Sequence, residues 1–243
     1  MSAREVILIG KDLSEAVDLA AEQVALALSA GGPRFVALSG GKTPAVLYQA
    51  LTRPPARDRV DWSGIHWFWG DERTVPPDHP DSNYRMARQT LLSPLGMPAE
   101  RIHRMPADAG DLSAAARHYE QTIRQHVPAG PDGIPVFDLI LLGVGHDGHT
   151  ASLFPGSPAL VVRDQLVVSC EVPALRTWRM TMTLPLLQAA RRIVFLVTGA
   201  DKADIMAQVL GPQAGPGLLP AAQVRGAAGL VAWVLDAQAG RLV

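Results

Sequence analysis

The chain holds one cysteine, Cys170, among 243 residues, so no internal disulfide is available and a core has to hold the fold. It also lacks a long apolar run: "FDLILLG" (137–143) falls far short of the ~20 residues a membrane helix needs. Net charge is almost absent, with 22 Lys and Arg against 23 Asp and Glu, which excludes a broad electrostatic surface for nucleic acid or anionic lipid. A local basic pocket remains possible, and any bound anion is expected to be small. The opening "MSAREVILIG" carries Glu5 in a run too short for a signal-peptide core, so a cytoplasmic location is expected. There is no internal repeat and no long linker. "RPPARD", "PAGPDGIP" and "GPQAGPGLLP" are short enough to be surface loops, and residues 1–243 are expected to form a single domain that works as a monomer.

Hydrophobic residues make up 48% of the chain and charged ones 19%, the balance of a globular protein with a sizeable interior. Short branched apolar runs recur at "EVILIG", "FVALSG", "IHWFWG", "FDLILLG", "LVVSCEV", "RIVFLVTG" and "LVAWVLD", each followed by a turn and then by helical spacing. The first helix is predicted from about Ser14 to Ser29, with "AGG" closing it; others begin near Pro44, Ser82, Leu112, Leu184 and Ala203. Continuous apolar strands such as Leu139 to Leu142 imply burial on both faces. The expected fold is α/β, a three-layer open, mostly parallel sheet with helices on both faces, Rossmann-like, and ligands of such sheets bind beyond the strand C-termini.

Three strand ends carry polar groups. In "SGGKTP", Ser39, Gly40 and Gly41 allow close backbone approach, Thr43 can cap the coming helix, Pro44 suits its first turn, and Lys42 adds a charge, which together make a seat for phosphate. A tight turn without a ligand accounts for a lone Gly-Gly equally well, and the G-x-x-x-x-G-K-[ST] spacing of a Walker loop is absent. In "WFWGDERTVPPDHPDSNY", Asp71, Glu72 and Arg73 follow buried-type tryptophans, and Arg73 can grip a carboxylate or oppose developing negative charge. Its structural alternative is a pair with Asp71, with Ser82 or Asn83 capping a helix. In "LLGVGHDGHTASLFPG", His146, Asp147 and His149 occupy a glycine turn. An imidazole can take a proton near neutrality, and a neighbouring carboxylate can orient it and steady its charged form. Metal binding by the two histidines lacks a helix to align them, and no metal is expected. Arg179 and Lys202 follow later strands and can reach the same crevice.

With "LSGGKTP", "WGDERTVPPDHPDSNY", "LLGVGHDGHTASLFPG" and "RMTMTLPLLQAARRIVFLVTGADKA" in that order, the chain resembles the 6-phosphogluconolactonases over most of its length. The superfamily includes the glucosamine-6-phosphate deaminases, which share the phosphate loop and the D-G-H turn. The deaminases carry D-E-Y where this chain has Asp71, Glu72 and Arg73, and A-F-N-E-P-G where it has "ASLFPG" (151–156). Both positions favour the lactonases. His146 stands where the family more often has proline or another non-basic residue.

The resemblance implies hydrolysis of 6-phospho-D-glucono-1,5-lactone in the oxidative pentose phosphate pathway, with His149 as general base, Asp147 holding its ring and Arg73 opposing the oxyanion. Ser39, Gly40, Gly41, Lys42, Thr43, Arg179 and Lys202 would bind the phosphorylated substrate, with Asp71 beside them. A lactone is an activated ester, so no cofactor is expected. No G-x-S-x-G elbow occurs to supply a serine nucleophile. The rivals are a deaminase using Asp71 as base, and a sugar-phosphate-binding protein without catalysis.

Overall fold

A computed structural model describes residues 4–29, 32–211 and 219–243. In chain order its strands and helices are β1 (Arg4–Gly10), α1 (Leu13–Leu28), β2 (Arg34–Leu38), α2 (Lys42–Leu51), β3 (Ile65–Trp69), β4 (Asp71–Arg73), α3 (Asn83–Ala87), α4 (Leu112–His126), β5 (Leu139–Leu142), β6 (Val167–Val172), β7 (Thr177–Met182), α5 (Leu184–Gln188), β8 (Arg192–Val197), α6 (Ala203–Leu210), α7 (Pro220–Gln223) and β9 (Leu230–Asp236). Two earlier expectations fall partly outside the described residues. The "AGG" helix end includes 30–31, and the loop "GPQAGPGLLP" includes 212–218.

Six strands form one parallel sheet in the order β1-β9-β8-β5-β2-β3. Every residue of β5 is buried, so both faces of this central strand are covered, as its unbroken apolar run requires. Helix α1 begins at Asp12, whose carboxylate accepts from Glu15 N, and packs across β1, β8 and β9. Trp67, Trp69 and Trp233 are among the largest fully buried side chains, which settles the tryptophans of β3 as core. Truncating any of them to alanine removes roughly 3–5 kcal/mol by the usual scale for large aromatic core residues.

The remaining strands differ from the expectation. "LVVSCEV" does not join the parallel sheet. As β6 it pairs antiparallel with β7, and β7 pairs with β4, in a separate three-stranded sheet. β4 is the continuation of β3: Gly70 donates to Leu38 O in the large sheet, while its own carbonyl accepts from Met182 N at the end of β7. A single chain segment thus passes from one sheet to the other at the C-terminal end of β3. That passage carries Asp71 and Arg73 over the ends of β2 and β5, where a wound sheet presents its crevice.

Candidate active site

The turn after β2 is built for close approach. Gly41, with φ of 110°, is the N-cap of α2, a conformation that favours glycine. This corrects the expectation for Thr43, which lies inside the helix and whose Oγ1 sits 3.2 Å from Thr198 Oγ1. At Gly40 a Cβ would collide with the side-chain amide of Asn83, so only glycine lets α3 come this near. Tyr48 ties the turn down, accepting from Ser39 N and donating to Ser39 O.

The second loop is closed by Glu72. Its buried carboxylate accepts from the backbone N–H groups of Arg73, Asn83 and Tyr84 and from Ser82 Oγ. Burial pushes this carboxyl upward, against the hydrogen bonds that favour its charged form. Ser82 caps α3, accepting from Arg85 N. Asp71 does not pair with Arg73: it accepts from Ser152 Oγ at 2.6 Å and from Asn83 Nδ2, while Arg73 Nη1 donates to Asp81 O at 2.6 Å.

The third loop sets the imidazole. Gly148 has φ of 78°, and Gly148 N donates to Gly145 O while Gly145 N donates to His149 O. His149 Nδ1 lies 2.6 Å from Asp147 Oδ1, and that same oxygen accepts from His149 N. A carboxylate oxygen accepts, so Nδ1 carries the proton and Nε2 presents its lone pair. Burial raises Asp147, but the backbone N–H and imidazole of His149 together outweigh it and hold the carboxyl below its usual range. The ring stacks on Phe154 with centroids 4.2 Å apart, and at Gly145 a Cβ would strike it. His146 turns away, its Nε2 3.5 Å from Asp201 Oδ2 at the exposed surface.

These loops and β7 enclose a hollow of about 310 Å³. Ser39, Gly40, Asp71, Arg73, Asn83, His149 and Arg179 all line it, so the structure brings together residues from all three strand ends. Arg73 and Arg179 are register partners across β4 and β7, two guanidiniums side by side on one face. Like charges directly opposite in a sheet repel unless an anion lies between them. The guanidinium of Arg179 has no hydrogen-bond or ion-pair partner among the described residues, and burial, with Arg73 beside it, lowers it below the usual range. Ser39 Oγ and Asn83 Oδ1 are also buried without a protein partner.

Gly41, Lys42, Thr43, Asp147 and Lys202 do not line the hollow. Lys202 stands just before α6, within electrostatic reach of Asp147 and Asp201, and burial lowers its ammonium. Asn83, Ser152, Phe154 and Glu72 escaped the sequence reading as site components. Asn83 was visible only as a possible helix cap, and nothing in the order of residues pairs Ser152 with Asp71, 81 positions away. A larger cleft of about 910 Å³ lies beyond Phe154 and Asp147, but Val168, Val172 and Trp178 give it apolar walls and neither arginine of the pair reaches it.

A family profile described as glucosamine-6-phosphate isomerases/6-phosphogluconolactonase matches residues 11–233. A 6-phosphogluconolactonase of Synechocystis sp. is 42% identical over 242 residues, covering 99% of this chain and 98% of the relative. One of Nostoc sp. is 40% identical over 228 residues, covering 94% and 92%. The solved 6-phosphogluconolactonase of Trypanosoma brucei superposes with a TM-score of 0.85 at 29% identity, covering 99% of each chain. With its three strand-end loops in place and its length matched almost from end to end, this chain belongs to the glucosamine-6-phosphate isomerase/6-phosphogluconolactonase family.

Proposed function

We infer that the protein hydrolyses 6-phospho-D-glucono-1,5-lactone to 6-phospho-D-gluconate, a step of the pentose phosphate pathway. The observation that carries the site assignment is the hollow itself, with a carboxylate-held imidazole on one wall and, on another, Arg73 beside the unpartnered guanidinium of Arg179. Arg179 and Arg73 hold the phosphate dianion, which relieves their mutual repulsion and returns partners to a desolvated charge. Ser39 Oγ, Asn83 Oδ1 and the Gly40 backbone meet the sugar between the two walls.

At the other wall, Nε2 of His149 takes a proton from a water as its oxygen attacks the lactone carbonyl carbon. Asp147, ionised and bonded to Nδ1, steadies the imidazolium that forms. The tetrahedral intermediate then breaks its ring C–O bond, and the imidazolium returns the proton to the departing C5 oxygen. The phosphate grip fixes the carbonyl near the water, and such orientation lowers a barrier by several kcal/mol. Arg73, anchored to Asp81 O, serves the phosphate beside Arg179. Lys202, beside Asp147, adds positive potential at the rim. Residues 1–243 act as one catalytic unit, and as a monomer.

Deamination is the family's other chemistry and would need Asp71 as a free base. Here Asp71 accepts from Ser152 and Asn83, and Arg73 occupies the place of the deaminases' tyrosine. Freshly generated lactone and glucosamine 6-phosphate, offered separately to the purified protein, distinguish the two. Acid release from the lactone with no ammonia from the amino sugar is expected; ammonia without lactone turnover would overturn the assignment.

A further inference from the structure

Three histidines that the catalytic hollow does not use meet at the opposite end of β3. His66 is the second residue of that strand, which lies at the edge of the parallel sheet. His103 follows a short 3-10 turn and is laid alongside β3 by a hydrogen bond from its N–H to Trp67 O, with its carbonyl accepting from Tyr119 Oη. His126 is the last residue of α4. One ring nitrogen from each lies within 4.8 Å of the others.

We propose that His66, His103 and His126 form a three-imidazole site for a divalent transition ion of the zinc class, separate from the catalytic hollow. The chemistry of the three donors selects the ion. Imidazole nitrogen suits Zn²⁺ and its neighbours, whereas Mg²⁺ and Ca²⁺ need oxygen ligands. Three protein ligands leave the fourth position of a tetrahedral ion to solvent, and exposed His126 is where solvent enters.

The geometry fits in two further ways. His126 Nδ1 lies 2.9 Å from Thr122 O, and a carbonyl can only accept, so Nδ1 carries the proton and Nε2 is left bare. Donation of the far ring N–H to a backbone carbonyl is the usual outer bond of a metal-bound histidine. His66 Nδ1 and His103 Nε2 are 3.0 Å apart. Two nitrogens bound at about 2.0–2.1 Å to a tetrahedral ion stand about 3.3 Å apart, so these two are nearly at the required spacing. Without an ion they share one proton. With one, that proton moves to the other nitrogen of the same ring and both lone pairs turn to the metal.

Phe68 stacks on His103 with centroids 4.5 Å apart and Phe35 flanks His66 at 5.4 Å, a wall that fixes the rings. Arg101, whose charge reaches His66, opposes any cation and sets the affinity below that of a site with a carboxylate ligand. From His66 to Asp71 the chain spans roughly 16 Å at strand rise, so the ion does not touch the substrate.

The test uses the full chain after dialysis against chelator, with ZnCl₂ alone as probe. Equilibrium dialysis should find one Zn²⁺ per chain, the melting temperature should rise on binding, and Co²⁺ in its place should give the visible bands of a four-coordinate ion. His126→Gln, on an exposed position, should weaken uptake by about 10- to 100-fold or more, the loss seen when even a supporting contact of a metal site is removed. His118→Gln, exposed on the same helix, should bind as the parent does. Absence of stoichiometric uptake by the parent would leave only an aromatic stack and overturn the proposal. So would equal uptake by His126→Gln, or loss on His149→Gln instead, which would assign the ion to the hollow.

Discussion

Histidines stand at the two ends of the parallel sheet, His149 on the loop after β5 and a cluster of three beside the start of β3, and their surroundings divide the work between them. His149 has a carboxylate against Nδ1 and one face open to the hollow, so its charged form is supported and Nε2 can accept a proton and hand it on. His66, His103 and His126 have aromatic rings, one another and Arg101 for company, and no carboxylate ion pair among the described residues. Burial first, then the charges of His126 and Arg101 at His66 and of His126 and His66 at His103, disfavour the imidazolium of those two rings. The same side chain is thus prepared as a base at one end and as a neutral ligand at the other, by its partners alone.

Exchanged losses separate the two roles. His149→Ala should cut kcat by roughly the 10²- to 10⁴-fold expected of a lost general base, with KM little changed, while His126→Gln leaves both as they were. Steady-state kinetics on freshly made lactone check both. A smaller effect is expected at the anion end of the hollow. Arg179→Ala should raise KM about 10- to 100-fold, the worth of charge-assisted hydrogen bonds at a desolvated site, and should abolish competition by inorganic phosphate. Inhibition still present in that variant would move the phosphate elsewhere.

The smallest effect concerns stability. In the chelated protein, burial first, then the charges of His126 and His66, bring His103 down to about 4. The folded chain therefore binds fewer protons there than the unfolded chain does. Stability from this group is complete above the ordinary imidazole range and is lost as the pH falls through it toward 4. Denaturant titrations of parent and His103→Asn across that window should converge at low pH; a constant gap would refute the reading.

The large sheet was legible because its strands are short, rich in branched residues and largely apolar, and "LVAWVLD" coincides with β9 residue for residue. β4 was not, since Asp-Glu-Arg carries no apolar signal and only its pairing with β7 makes it a strand. β7 itself mixes polar and apolar residues in "TWRMTM" and reads as a loop. At the site, glycines and titratable groups beside each other in the chain announced the turns. Partnerships across the fold did not: Ser152 with Asp71, Arg73 facing Arg179, and His66 beside His103 depend on which strands become neighbours. His146 shows the converse, since adjacency to Asp147 suggested a role and the turn sends its ring toward Asp201.

Glu72 closes the loop between β4 and α3. Its one carboxylate clasps the chain at Arg73 and again at Asn83 and Tyr84, so residues 74–81 leave and return through the same knot. Only the tip of the excursion is insulated: residues 75–78 can lengthen, shorten or take a foreign sequence while the knot, with Asp81 O holding Arg73, keeps the arginine and the asparagine aimed inward. Variation confined to that tip is thereby uncoupled from the chemistry beneath it.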